Sequence, residues 1–274
     1  MIDSMFKVLC PPVVAQIIRK VKHKKVFFGV YKTFEEVPAE NLWAHEGWIN
    51  ESRKKLDDLL ENSQKNMGLF PEPVIEGYAV LPCLVINMLS GQGECRVLDF
   101  AGGTGLIYYR IRPYLAKPGN VLWDVVDSND VLLEMGRKSK LKDDSVQFLD
   151  RLPPPSSDGH RYDVIYINTA LQYIPDHEGL FDTLFSFKPT YLILTRLLSG
   201  DIDTFVTSQV LYGKRVPCQV INFQELVRTI STHGYEMIFK SPTETNFEES
   251  YDRSIPKQMQ IPYSVNVIFK KRQS

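Results

Sequence analysis

Four cysteines are all that 274 residues carry, and Cys10, Cys83, Cys95 and Cys218 form no C-x-x-C pair and stand at no zinc-site distance from a histidine. That scatter excludes a disulfide framework and a structural zinc, and reads as buried or incidental thiols in a reducing compartment. No apolar run reaches the roughly 18 residues of a membrane-spanning helix. In the opening MIDSMFKVLCPPVVAQIIRK the charges mostly follow the apolar part, the wrong order for a secretory signal, so a cytoplasmic protein is expected. A formal charge of -1 leaves no global positive field to attract nucleic acid. There is no internal repeat, and the proline-rich LPPPSSDG at 152–159 is too short to link domains.

What is present is a chain that can bury a sizeable core, at 43% hydrophobic residues. Charge is locally uneven: RKVKHKK at 19–25 holds five basic side chains beside an apolar stripe of Phe6, Val13, Val14, Ile17, Ile18 and Val21. Packing of that stripe on the protein body is the preferred reading. Weak contact with the anionic inner face of a membrane is the alternative.

Residues 34–65 are charged and helical in pattern, and 74–90 form an apolar segment. From Cys95 onward short β-rich runs alternate with helical ones. The expected strands are 96–100, 121–127, 145–149, 162–168, 189–195, 235–240 and 263–269, with helices at 105–115, 129–139, 177–186 and 222–232. This is the rhythm of an α/β fold: a Rossmann-like, mostly parallel seven-stranded sheet with helices on both faces. Residues 1–90 are expected to be an N-terminal helical cap or lid, and 91–274 the cofactor-binding domain.

The stretch VLDFAGGTG at 97–105 leaves the first strand and enters the first helix. Such a turn lies at the carboxyl edge of an open sheet, where ligands bind, and its glycines let backbone approach a ligand closely. A dinucleotide fingerprint would need a third glycine where Tyr108 stands, which weakens a nicotinamide dehydrogenase or epimerase but keeps it as an alternative. A non-catalytic binding member of the fold is a second alternative. Asp99 precedes the small-residue turn by two positions, and Asp127 closes the next strand in WDVVDSND, 22 residues after Gly105 and near the spacing of a ribose-binding acid.

VLDFAGGTG followed by WDVVDSND resembles the cofactor site of class I S-adenosylmethionine-dependent methyltransferases. The resemblance implies that Ala101, Gly102, Gly103, Thr104 and Gly105 approach the methionine and ribose parts of the cofactor. It further implies that Asp127, with Ser128, takes the ribose hydroxyls, and that Leu149, Asn168 and Gln172 complete the cofactor set. Ala101 departs from the pattern, since glycine is commoner there. Asp99 can lie near the cationic end of S-adenosylmethionine.

A narrower resemblance runs over about 210 residues. FFGVYKTFEEV (27–37), RVLDFAGGTGLIYYRIRPYL (96–115), WDVVDSNDVLLEMGRK (123–138), INTALQYIPD (167–176), LTRLLSG (194–200), Gln209 and GYEM are similar to a family assigned as methyltransferases and usually encoded among enzymes of bacterial surface polysaccharide (O-antigen and capsule) synthesis. It implies a small-molecule or glycan acceptor: a sugar hydroxyl, for which a general base should help, or a phosphoryl group attached to a sugar; an acceptor carrying at least one negative charge is the expectation.

Residues just before a strand lie away from the reacting edge, which demotes His160 and His233, and His23 belongs to the basic run. His177 and His45 remain as catalytic candidates with Tyr173, which stands in the segment NTALQYIPD. Against His177 counts Asp176, a helix N-cap that would make it an exposed first-turn residue. Trp43 is a candidate sugar platform beside His45, Arg196 a clamp for a phosphate or carboxylate, and Gln209 a polar group of a loop expected after the fifth strand. Tyr31 is assigned to the lid. Methyl transfer needs an oxygen held in line with the methyl group and water excluded; no metal is expected.

Overall fold

A computed structural model describes residues 25–65, 77–154 and 162–273. The N-terminal apolar stripe, most of the basic run with His23, Cys10 and His160 lie outside the described residues. In chain order the strands are β1 (Phe27–Tyr31), β2 (Cys95–Phe100), β3 (Val121–Val126), β4 (Val146–Leu149), β5 (Val164–Asn168), β6 (Tyr191–Leu197), β7 (Ser199–Gly200), β8 (Phe205–Leu211), β9 (Lys214–Asn222), β10 (Tyr235–Asn246) and β11 (Tyr263–Lys271). The helices are α1 (Glu46–Lys65), α2 (Gly77–Ser90), α3 (Leu106–Ile111), α4 (Asp130–Lys138), α5 (His177–Ser186) and α6 (Phe223–Thr232).

Seven strands form the main sheet in the order β10-β11-β6-β5-β2-β3-β4. From β4 to β6 neighbours are parallel; β11 runs antiparallel between β6 and β10. All seven expected strands are here. Both faces of the parallel strands are covered, which is why they read as nearly continuous apolar runs. On one face Leu56 and Leu59 of α1, Cys83 and Ile86 of α2, and Ile107 of α3 pack with Val97, Trp123 and Tyr166. On the other, Phe181 and Leu184 of α5 and Leu226 and Ile230 of α6 pack with Leu98, Ile165 and Leu194. The chain reverses its direction of winding between β2 and β5, and such a switch point opens a crevice beyond the carboxyl ends of these strands.

The region expected as a loop after the fifth strand is instead a β-hairpin. β8 and β9 pair antiparallel around Tyr212 and Gly213, both at positive φ (53° and 76°). Joined by β1 and β7, they make a four-stranded sheet in the order β1-β8-β9-β7. Tyr31 accordingly lies in a strand paired with β8, not in a helical lid. A third cluster, including Phe27, Phe205, Val220, Tyr251 and Ile261, seats this sheet beside the carboxyl end of β6.

Candidate functional site

The turn after β2 is held against the end of β3, because the Ala101 and Gly102 amides donate to the Val126 carbonyl at 2.7 and 3.3 Å. Gly102 leaves no room for a side chain: a Cβ there would lie 2.6 Å from Asp99 Cγ. Gly103 adopts φ +58°, the left-handed region that disfavours side chains, and its amide donates to Asp127 Oδ2 at 2.9 Å. The Asn129 amide donates to Asp127 Oδ1 at 2.8 Å. Asp127 thus braces the turn, and each carboxylate oxygen keeps capacity to accept a further hydrogen bond. Burial raises its pKa, while the Asn129, Gly103 and Ser128 amides pull it down. Thr104 is buried and Ser128 exposed at this edge. Leu149, half-buried, ends β4, and its carbonyl accepts from the Asp127 amide.

Asp99 is only 1% exposed, and Trp123 Nε1 donates to its Oδ2 at 3.2 Å. Burial pushes its carboxyl up to about 7. Among the described residues it has no ion-pair partner. A buried carboxyl of this kind is stabilised by an incoming cation.

At the end of β5, Thr195 Oγ1 lies 2.9 Å from Tyr166 Oη and 3.0 Å from Asn168 Oδ1, a network that orients Asn168. Thr169 follows at φ 57°, a strained conformation for a β-branched residue. Gln172 is 2% exposed, and its Oε1 accepts no hydrogen bond from the described residues.

Beyond it Tyr173 Oη donates to Gln209 Oε1 of β8 at 2.6 Å, and its ring meets Trp43 edge-on at 5.3 Å. Trp43 also touches Trp48, which touches Tyr212 of the hairpin. Asn129 Nδ2 donates to the Trp43 carbonyl at 2.7 Å, tying this aromatic wall to the Asp127 corner. Tyr173, Trp43 and Gln209 therefore do come together.

Arg196, next to last in β6, stands at φ 55°, its guanidinium 5.0 Å from the centre of the Tyr78 ring. His177 is half-buried rather than an exposed first-turn residue, although Asp176 caps α5 as expected. Gln219 Nε2 lies 2.7 Å from the Ile174 carbonyl and 3.0 Å from His177 Nδ1. Burial lowers the His177 pKa. His45 Nδ1 accepts from the Gly47 amide at 3.1 Å. Tyr31 is placed apart from the aromatic wall. It lines an open groove of about 560 Å³ with Phe34, Pro175, Val206, Gln219 and Met259, and that groove includes neither Trp43 nor Tyr173.

Sequence reasoning passed over Trp123, Asn129, Tyr78 and Tyr212. Of these Asn129 was within reach, since S-N-D before an apolar-periodic helix is an N-cap signal, and its Oδ1 accepts from the Val131 and Leu132 amides. The others are defined by contacts between distant segments.

No family model matches the chain. It is 24% identical over 246 residues to the ubiquinone/menaquinone biosynthesis C-methyltransferase UbiE of Coxiella burnetii (strain RSA 331 / Henzerling II), covering 82% of this chain and 90% of that protein. To UbiE of strain Dugway 5J108-111 it is 25% identical over 192 residues, covering 63% and 72%. A solved structure assigned as an S-adenosylmethionine dependent methyltransferase from Listeria monocytogenes superimposes with TM-score 0.50 at 14% identity, over 66% of this chain and 92% of that one. The fold is that of the Rossmann-like methyltransferases. Among the described residues no group of three or more His, Cys, Asp or Glu side chains converges as a metal site, and no helix is long and apolar enough to cross a membrane.

Proposed function

We propose that this chain is an S-adenosylmethionine-dependent methyltransferase that binds its cofactor over the turn between β2 and α3 and a small-molecule or glycan acceptor beside Tyr173. The observation that carries this reading is Asp127, fixed by the turn's own Gly103 amide at the end of β3, together with the buried carboxyl of Asp99, which has no ion-pair partner among the described residues. When bound, S-adenosylmethionine supplies an electrophilic methyl group on a cationic sulfur. Asp127 accepts the ribose hydroxyls, Asp99 answers the positive end, and Asn168 at the end of β5 and Gln172 in the helical turn after it complete the set.

Tyr173 orients the acceptor. Burial holds its phenol far above the ordinary tyrosine range, so it acts as a neutral hydroxyl fixed by Gln209 and not as a base. With Gln219 donating to Nδ1, neutral His177 carries its proton on Nε2, and the Gly47 amide donates to Nδ1 of His45. The Nδ1 lone pair of each imidazole is thus already engaged. This favours an acceptor oxygen that arrives already ionised, held near and shielded from water. A phosphoryl group on a sugar of a bacterial surface polysaccharide fits that requirement. Its support is the ordered motif set of the sequence and the aromatic wall of Trp43, Trp48 and Tyr212.

The nicotinamide alternative is disfavoured by Tyr108. It stands where a third glycine would be needed, fully buried against Tyr109 and Trp123, with its hydroxyl on Asp143. Calorimetry tests the choice: S-adenosylhomocysteine is expected to bind and NAD not to, and the reverse result overturns the reading.

A further inference from the structure

The pairing of β6 with β11 shifts register between Val267↔Leu194 and Val265↔Leu197, so Thr195 and Arg196 together face the single residue Asn266. This is a β-bulge, a device that re-aims a side chain. At the bulge Arg196 takes φ 55°, and its amide donates to Asn266 Oδ1 at 3.0 Å. The left-handed region is costly for a non-glycine residue, so something else in the site gains from the arrangement.

Strand alternation shows what it achieves. Ile193 belongs to the cluster under α1–α4, and Leu194 to the opposite one under α5 and α6. Without the bulge Arg196 would follow Leu194 to the α5–α6 face. Instead its guanidinium rests on the ring of Tyr78 in α2, on the first face. Arg110 donates to the Tyr78 hydroxyl, which pins that ring as a platform. The guanidinium is half-buried and forms no ion pair with any described carboxylate. Its charge is felt at both Tyr166 and Tyr173. A cation thus placed, pre-oriented and unpaired, presents a planar fork suited to bidentate anions.

Resting on the methyltransferase reading, we propose that Arg196 is the anion-binding residue of the acceptor site, and that the acceptor bears a phosphoryl or carboxylate group. The test uses protein saturated with S-adenosylhomocysteine and three calorimetric probes: a hexose 1-phosphate, the corresponding hexuronate and the free hexose. One or both anionic probes bind, and the free hexose binds far less. Arg196→Gly removes the guanidinium while suiting the left-handed backbone, so it folds, and it weakens the anionic probe by roughly 10- to 100-fold. Arg196→Lys restores only part of that binding, and neither variant changes S-adenosylhomocysteine affinity. The proposal is overturned if no anionic probe binds the loaded wild type, or if Arg196→Gly binds it unchanged. It is also overturned if Arg196→Gly loses cofactor instead, which would assign the guanidinium to the cofactor's carboxylate. Failure of the wild type to bind S-adenosylhomocysteine at all would strike the methyltransferase reading itself.

Discussion

The Gly103 amide donates to Asp127 Oδ2 across 2.9 Å, so the turn that ends β2 and the acid that ends β3 form one braced corner. Asp127→Ala removes the brace and the ribose acceptor together. S-adenosylhomocysteine affinity is expected to fall by about 1.5–3 kcal/mol, the scale for hydrogen bonds to a charged group. Calorimetry measures it, with circular dichroism to confirm the fold; an unchanged affinity in a folded variant removes the ribose assignment.

Asp99 makes stability depend on pH. Its folded pKa of about 7 lies above the ordinary 3.8, so the folded state binds the proton more tightly. The contribution is therefore fully present below the unfolded value and is lost as pH rises through about 7, by an amount on the order of a few kcal/mol. Thermal midpoints between pH 4 and 8 should fall less steeply in Asp99→Asn than in wild type. Parallel pH profiles would assign the titration elsewhere. Cofactor binding near pH 6 should release a proton from wild type and not from the variant, which titrations in buffers of different ionisation enthalpy detect.

Ala101 stands at φ 57°, where the methyl group is strained and glycine is not. Relief of about 1–2 kcal/mol is partly offset by the greater unfolded-chain entropy of glycine, roughly 0.4–1 kcal/mol. Ala101→Gly should stabilise the protein by up to about 1.6 kcal/mol in urea unfolding. A clear loss of stability would show that the methyl group makes contacts outweighing the strain.

Asn129 has three tasks: it caps α4, donates its amide to Asp127, and holds the Trp43 carbonyl with its side chain. Asn129→Ala keeps only the second. Loss of the cap is expected to cost about 1 kcal/mol. Release of the Trp43 segment should red-shift tryptophan emission before unfolding begins. Emission identical to wild type in the folded variant would mean that the aromatic contacts hold Trp43 without the tether.

The parallel core was legible because its signals are local. Strands buried on both faces must be apolar throughout, a turn that meets a ligand must be bare, and Asp127 follows at a spacing dictated by one helix and one strand. The α/β class, the seven strands of the main sheet and the turn's place at its carboxyl edge follow from that chemistry alone. Tertiary structure alone decided the rest. FVTSQ falls in the segment expected as a loop, and KRVPCQVIN belongs to no expected strand; pairing with each other and with β1, far away in sequence, makes them a sheet. That sheet carries Gln209 to Tyr173 and moves Tyr31 to another groove. The direction in which Arg196 points depends on a bulge opposite Asn266, 70 residues downstream. Backbone conformation at such a position is set by the partner strand's hydrogen-bonding register, and one strand's own residues do not encode it.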